Sequence, residues 1–123
     1  MNREIKFRGL RPDKVWIYGN LIQSGQRTYM VREKDYYNFK VKAETIGQFT
    51  GLYDKNGKEI YEGDVVGDSK IRWIVKWNKH RMGFSLYPTT EQLYDEMPVN
   101  VENKLGYEII GNVYDNPELL GGE

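Results

Sequence analysis

The chain has 123 residues, a usual length for one domain, and its 14% aromatic content argues against disorder because disordered chains contain few aromatic side chains. It has no cysteine and a single histidine, His80, which excludes disulfides, thiolate catalysis, iron–sulfur clusters and multi-histidine metal centres. The charges of the 18 basic and 18 acidic residues cancel, so the chain lacks the overall basic excess of nucleic-acid-binding domains. The sequence has no run of about 18 apolar residues that could span a membrane, so we expect a soluble, cytoplasmic protein.

The N-terminal third is predicted to contain three strands. Ile5 and Phe7 alternate with charged residues, a period of two that is typical of a half-buried strand. Residues 15–22 are apolar on both faces and predict a central strand, which the turn-forming residues 11–13 would join to the first strand in a hairpin. Residues 28–32 form the third predicted strand.

Aromatic side chains are concentrated in the segment Glu33–Glu44, where no period is visible, so we predict a loop. This loop contains Tyr36, Tyr37 and Phe39. Aromatic residues are enriched at protein interfaces, so exposed aromatic side chains here would form a partner-binding surface. The alternative is that the cluster covers one end of a barrel and has only a packing role. The sequence leaves both interpretations open.

A hairpin is predicted around Asn56-Gly57, because this pair is preferred in two-residue type I′ turns, which need a positive φ at both positions. Apolar pairs at 52–53 and 60–61 provide the two arms. A calcium-binding loop fails on spacing: with Asp54 as the first ligand, Glu59 takes the position where such loops need a glycine for their sharp turn. The hairpin is therefore the prediction for this segment.

The second half of the chain continues with short strands. A turn at 62–64 leads into Val65-Val66. Residues 71–78 and 83–87 are predicted to pair as antiparallel strands, and residues 107–114 alternate again to form the last predicted strand.

Helix is scarce in the pattern. Residues 90–97 could form two turns, with Thr89 and Gln92 at the spacing of a capping box. Residues 116–121 combine an asparagine cap, a proline and a terminal glycine in a single turn. Many short strands with brief turns predict a mainly β fold, a small, partly opened barrel with at most one or two short helices.

Strand alternation also predicts the core, because a side chain on the apolar face of an alternating strand is expected to be buried. The predicted core consists of Ile5, Phe7, Trp16, Tyr18, Ile71, Trp73, Val75, Trp77, Ile109 and Val113. Charged neighbours such as Arg72 and Lys76 are expected on the solvent side.

The best candidate for a functional segment is Lys70–Arg81, which carries five Lys or Arg residues and no acid. Four of its cations could contact phosphates or a protein partner: Arg72, Lys76, Lys79 and Arg81. Trp73 or Trp77 would then stack on the bases of a single strand. Alternation argues against this, because it places both tryptophans on the apolar face, opposite Arg72 and Lys76, where they would belong to the core. A strand with one solvated basic face is the favoured interpretation.

The sequence shows no catalytic constellation. His80 lies between cations in a hydrophilic segment, with no serine or carboxylate in a nucleophile motif nearby. Phosphate-binding glycine motifs are missing as well. We therefore predict no catalytic residue, no metal site and no cofactor. A small hydrolase, whose Asp or Glu side chains would pair only in the folded chain, is kept as an alternative.

Three segments of the chain carry a family resemblance. They are residues 3–8 followed by 17–21, residues 44–66, and residues 107–120. The second segment, ETIGQFTGL followed after one residue by DKNGKEIYEGDVV, is the most specific. In their order and spacing these segments resemble the YopX-like family of phage and prophage proteins, and they extend over nearly the whole chain.

The resemblance implies an SH3-like, partly opened barrel that forms a single domain over residues 1–123, with residues 115–123 as a short C-terminal turn and tail. It also implies a phage or prophage origin, and it transfers no catalytic or ligand residue. The expected function is a non-enzymatic interaction module that binds a host or phage protein, or itself. The alternatives are a small barrel that binds nucleic acid through Lys70–Arg81 and the small carboxylate-dependent hydrolase.

Overall fold

The computed structural model describes residues 4–68, 71–80, 82–89, 97–98 and 106–120. Over these residues the chain is mainly β, so the predicted fold class is confirmed, whereas an SH3-like arrangement stays a prediction. The strands are β1 (Phe7–Leu10), β2 (Trp16–Ser24), β3 (Arg27–Arg32), β4 (Asn38–Lys40), β5 (Lys42–Tyr53), β6 (Glu59–Tyr61), β7 (Asp64–Gly67), β8 (Arg72–Asn78), β9 (Gly83–Pro88), β10 (Met97–Pro98) and β11 (Glu108–Asn112).

The chain divides into two compact units, residues 1–49 and residues 50–123. Each unit has its own cluster of buried apolar side chains. Strand β5 continues through the division, so that residues 50–53 belong to the second unit. The single domain expected over residues 1–123 stays a prediction.

In the first unit the strands form an antiparallel sheet in the order β4-β3-β2-β1-β5. Strand β2 lies between β1 and β3, which confirms the predicted central strand. The predicted hairpin between β1 and β2 is also present: Leu10 pairs with Trp16, and the Arg11 N–H donates to the Val15 carbonyl at 2.9 Å.

The prediction of one loop over Glu33–Glu44 was wrong in its second part. Strand β4 forms because Phe39 pairs with Met30 of β3 and packs against the core of this unit. Strand β5 then begins at Lys42, which leaves Glu33–Tyr37 as the irregular segment between β3 and β4.

The core of the first unit is formed by Ile17, Met30 and Val41, with partly buried side chains of Phe7, Leu21, Phe39 and Ile46 packed around them. Gly19 faces the same side of β2 as Ile17, and a Cβ atom there would collide with the Val31 carbonyl oxygen. The sheet can therefore pair closely at this point only because Gly19 has no side chain.

The second unit contains β6–β11 together with the end of β5. A five-stranded antiparallel sheet has the order β10-β9-β8-β7-β11, and β6 is hydrogen-bonded to β5. The predicted pairing of β8 with β9 is confirmed, with Trp73 opposite Pro88 at one end and Asn78 opposite Gly83 at the other. The core consists of Ile60, Val66, Trp73, Val75 and Leu86, and it is flanked by Leu52, Ile71, Phe84, Tyr107 and Ile109.

Three of the predicted core positions are wrong. Ile5 is 63% exposed because it precedes the start of β1. Tyr18 is 42% exposed because β2 turns its neighbours Ile17 and Gly19 toward the core and Tyr18 away from it. Trp77 is 46% exposed although Trp73 and Val75 on the same strand are buried, because it extends beyond the buried part of that face. The other predicted positions are buried or partly buried.

The hairpin at Asn56-Gly57 is present, but the two-residue type I′ turn was wrong. Gly57 has a φ of +86°, whereas Asn56 is not among the residues with positive φ. The Gly57 N–H donates to the Asp54 carbonyl at 3.0 Å, and the Asp54 N–H donates to the Lys58 carbonyl at 2.8 Å. These bonds define a three-residue loop in which a turn is followed by a left-handed glycine bulge.

The two helical segments predicted from the sequence had different outcomes. Residues 90–96 lie outside the described residues, and Met97 belongs to β10. The single C-terminal turn is present as a 3-10 helix at Pro117–Leu120, where the Leu119 N–H donates to the Asn116 carbonyl at 3.0 Å. In the part of the chain that the structure describes, no helix has the length and apolar character that a membrane crossing requires.

Candidate interaction surfaces

The loop between β3 and β4 holds two tyrosines in solvent. Tyr36 is 78% exposed and Tyr37 is 64% exposed. The turn is closed by two backbone hydrogen bonds of 2.8 Å, one from the Tyr36 N–H to the Arg32 carbonyl and one from the Arg32 N–H to the Tyr37 carbonyl. Tyr36 has a φ of +65°, which is uncommon for a side chain of this size. The loop therefore presents both rings in a defined turn, at the expense of local backbone strain.

The side chain of Arg32 stabilises this loop. Its guanidinium donates two hydrogen bonds to the Asp35 carboxylate, at 2.9 and 2.6 Å. These hydrogen bonds raise the pKa of Arg32 and lower the pKa of Asp35 relative to their usual values. The same guanidinium lies 4.7 Å from the centre of the Phe39 ring and 5.8 Å from that of Tyr37. A bidentate pair stacked on aromatic rings holds the turn more firmly than an isolated surface ion pair would.

Phe39 differs from the two tyrosines in its role. It is partly buried against the core of the first unit, and its ring meets that of Tyr37 edge-on with 6.5 Å between the centroids. The structure thus brings the three predicted aromatic residues together but exposes only Tyr36 and Tyr37. Phe39 packs as the alternative interpretation expects, whereas a partner-binding role of Tyr36 and Tyr37 stays a prediction.

A shallow groove lies beside this loop. Its volume is about 410 Å³, and it is lined by Val15, Trp16, Ile17, Tyr18, Arg32, Glu33 and Lys34. Val15 and Tyr18 are 46% and 42% exposed, and the Tyr18 carbonyl accepts a hydrogen bond from the Glu33 N–H at 3.1 Å. The loop residues Glu33 and Lys34 line the groove, so the groove and the loop adjoin one another. We call Val15, Tyr18, Tyr36 and Tyr37 the aromatic surface.

The sequence pattern did not indicate Val15 or Tyr18 as parts of a site. Both lie in the apolar segment at 15–22, which reads as a buried central strand. A signal for them exists in Gly19, because a glycine inside a strand marks a place where another backbone comes close and the neighbouring side chain can face outward.

Three of the basic residues proposed from the sequence, Arg72, Lys76 and Lys79, are exposed on the β8–β9 hairpin. The fourth, Arg81, lies outside the described residues. The Lys76 ammonium is 5.1 Å from the centre of the Tyr87 ring. Trp77 meets Phe84 edge-on, with 5.3 Å between ring centroids and an angle of 80° between the rings. Trp73, in contrast, is 5% exposed and belongs to the core.

Among the described residues, no group of three His, Asp or Glu side chains is arranged to hold a metal ion. His80 is exposed, and its backbone N–H donates to the Asn78 side-chain oxygen at 2.9 Å. Asp64 is buried and accepts a hydrogen bond from the Tyr61 N–H at 2.8 Å.

Asp54 is a second carboxylate that is fully buried among the described residues. Its oxygens accept hydrogen bonds from the backbone N–H groups of Asn56, Lys58 and Ile109 at 2.8, 2.9 and 3.0 Å. Burial by itself would raise the pKa of Asp54, but these three donors outweigh it, and the pKa lies below the usual value. The carboxylate is thus used to organise the backbone.

Comparisons with known proteins concern the whole chain. None of the curated proteins matches it. Among solved structures, the crystal structure of protein EF1440 from Enterococcus faecalis is similar, with 21% sequence identity, a TM-score of 0.56, and coverage of 98% of this chain and 100% of that one. At this identity the likeness concerns the fold alone. The model of the YopX protein family matches residues 4–121, nearly the full length. The chain therefore belongs to the YopX protein family.

Proposed function

We propose that this protein is a non-enzymatic interaction module that binds an acidic segment of a partner protein on the aromatic surface. The observation that carries the proposal is the exposure of Tyr36 and Tyr37, at 78% and 64%, on a turn that is closed by hydrogen bonds. The Tyr37 ring contacts Phe39 and lies near the Arg32 guanidinium, but most of the surface of both tyrosines stays in solvent.

The chemistry of the surface suits a protein ligand. Tyrosine and arginine are among the residues that contribute most to protein interfaces, because each combines a large contact area with a polar group. The Arg32–Asp35 pair fixes the turn before binding, which reduces the conformational entropy lost when a partner binds. The groove next to the loop offers Val15 and Tyr18 as further apolar contacts.

Charge favours an acidic partner segment. Residues 1–49 contain ten Lys or Arg and five Asp or Glu, a net charge of +5. Two cations, Arg32 and Lys34, line the groove together with one acid, Glu33. Opposite charge on the partner would accelerate encounter and select against basic segments. A phage or prophage origin, which the family resemblance implies, would make the partner a host or phage protein in the cytoplasm.

The other functions considered for the sequence have different support. Asp54 and Asp64 use their carboxylates on backbone N–H groups, which gives a carboxylate-dependent hydrolase no support. Self-association would place the −5 charge of residues 50–123 of one molecule against the +5 unit of another. A second copy of this chain is therefore the main competing occupant of the aromatic surface. Nucleic-acid binding concerns the other unit and is independent of this surface.

Selection from a library of displayed random peptides tests the proposal. We expect enrichment of peptides that combine Asp or Glu with apolar residues, and loss of their binding to the Tyr36→Ala/Tyr37→Ala variant. Ile22→Ala is the matched control, because Ile22 is also an exposed apolar residue of the first unit, at the far end of β2. Failure to enrich such peptides, or equal binding by the double variant, contradicts the proposal. Dimerisation in sedimentation experiments that the double variant abolishes would replace it with self-association.

A further inference from the structure

The β8–β9 hairpin is basic within an acidic unit. Residues 69–90 contain five Lys or Arg and no Asp or Glu, although residues 50–123 carry a net charge of −5. Three of these cations, Arg72, Lys76 and Lys79, are exposed on the hairpin. Charge is therefore segregated within the second unit.

Within the part of the chain that the structure describes, no acidic side chain forms an ion pair with these cations. Ion pairs between described residues are formed by other cations, among them Lys6, Arg11, Arg32 and Lys55. Arg72, Lys76 and Lys79 thus have no ion-pair partner among the described residues. Their positive potential is available to an anionic ligand.

Trp77 adds an exposed aromatic ring to this basic hairpin. It is 46% exposed, and its edge-on contact with Phe84 supports the indole without covering it fully. The expectation that alternation buries both tryptophans is wrong for Trp77, which is accessible for stacking although it lies on the strand face opposite Arg72 and Lys76. Met82, at the turn between the strands, is 79% exposed and leaves this end of the hairpin accessible.

We propose that the β8–β9 hairpin binds single-stranded nucleic acid, with Trp77 stacked on a base and Arg72, Lys76 and Lys79 bound to phosphates. A row of cations that follows a strand, combined with an exposed ring, is the pattern of sequence-tolerant single-strand binding. Arg72 and Lys76 are four residues apart on one strand face, about 13 Å, so they would contact different phosphates. Trp77 faces the opposite side, and the bound strand passes from one face to the other around the end of the hairpin.

A single strand fits better than a duplex or a lipid surface. Stacking on Trp77 requires an unpaired base, which a duplex does not offer. Insertion into an anionic membrane would need a larger apolar face next to the cations. The acidic remainder of the second unit repels polyanions, so we expect an affinity in the micromolar range and strong salt dependence.

The affinity for a labelled oligothymidine of twelve nucleotides, measured by fluorescence anisotropy, tests the site. We expect binding with a log–log salt slope of about −2, because three contacts release about 0.7 counterion each from a single strand. The Arg72→Gln/Lys76→Gln/Lys79→Gln variant should lose at least tenfold in affinity and most of the slope. Trp77→Ala should lose about 5- to 150-fold, the range measured for one base stacked on an aromatic ring.

Controls make each outcome decisive. Thermal unfolding establishes that the variants fold, and Tyr36→Ala/Tyr37→Ala should bind the oligonucleotide like the parent because these tyrosines lie in the other unit. Absence of binding at 50 mM salt overturns the proposal, as does equal binding by Trp77→Ala. Tighter binding to a duplex of the same length, or binding to vesicles with anionic lipid but not to the oligonucleotide, would assign the hairpin to a different ligand.

Discussion

The side chain of Asp54 and the backbone of Ile109, 55 positions apart in the sequence, are joined by a hydrogen bond of 3.0 Å from the Ile109 N–H to Oδ2. The other carboxylate oxygen, Oδ1, accepts from Asn56 and Lys58 in the hairpin loop. Next to this contact, the Lys55 N–H donates to the Tyr107 carbonyl at 2.9 Å. The loop thereby bonds backbone groups at the start of β11, which forms an edge of the five-stranded sheet. A covered edge is protected from pairing with another chain.

The first prediction concerns this buried carboxylate. Asp54→Asn should lower the free energy of unfolding by about 1.5–3 kcal/mol, because an amide cannot accept from three N–H groups as the carboxylate does. Asp13→Asn is the matched control: Asp13 pairs with Arg11 on the surface, and its loss should change stability by less than about 0.5 kcal/mol. Urea unfolding of both variants measures the difference. Similar midpoints for the two variants would mean that Asp54 does not organise the loop.

The second prediction is that the contribution of the Asp54 carboxylate to the free energy of unfolding depends on pH. The folded pKa of Asp54 is depressed below the unfolded value of about 3.9. Its stabilising effect is therefore complete above the unfolded pKa and is lost as the pH falls through the folded pKa. We expect the stability difference between the parent and Asp54→Asn to shrink as the pH falls from about 5 to about 2. Other acids, including Asp35, titrate equally in both proteins, so a difference that stays constant over this range would contradict the assignment.

The third prediction concerns the bulge glycine. Gly57→Val should destabilise the protein by about 1–2 kcal/mol, because a β-branched residue resists the positive φ at this position. Gly106→Val is the control, since Gly106 is exposed, is not among the residues with positive φ, and has nothing near a new Cβ atom. Urea midpoints again report the effect. Equal stability of the two valine variants would show that the loop tolerates a side chain at residue 57.

The fourth prediction addresses the turn that presents the tyrosines. Asp35→Ala removes the bidentate pair with Arg32 and should accelerate hydrogen exchange of the Tyr36 amide severalfold, because the pair holds the turn in which the Tyr36 N–H donates to the Arg32 carbonyl. Amide exchange followed by NMR measures this rate. Exchange of amides in β8 serves as the internal control, and an unchanged Tyr36 rate would show that Arg32 does not hold the turn.

Strand positions and the fold class could be predicted from the sequence because period-two alternation is a local property. The strand from Arg72 to Asn78, its pairing with β9 and the central place of β2 all follow from that pattern. The type of turn at Asn56-Gly57 could not be predicted so easily. The same dipeptide suits a type I′ turn or a glycine bulge, and the hydrogen bonds made by Asp54 belong to the bulge.

Burial at the ends of strands could not be predicted, because alternation does not show where the covering layer ends. Trp77 continues the face of Trp73 and Val75 but lies beyond the buried part of it. Tyr18 sits in an apolar segment whose inward positions are taken by Ile17 and Gly19. Both side chains belong to the surfaces proposed here as binding sites. The aromatic loop residues Tyr36 and Tyr37 were recognisable because they stand outside any regular pattern.

The most direct test of the central claim is the affinity of a fluorescein-labelled acidic peptide, taken from the display selection, for the parent protein and for Tyr36→Ala/Tyr37→Ala. Replacing two exposed aromatic contacts of an interface should weaken binding at least tenfold, while Ile22→Ala should bind like the parent. Replacing the Asp and Glu residues of the peptide with Asn and Gln should weaken binding to the parent as well, because the first unit carries a net charge of +5. Equal affinity of the parent and the double tyrosine variant would contradict the account.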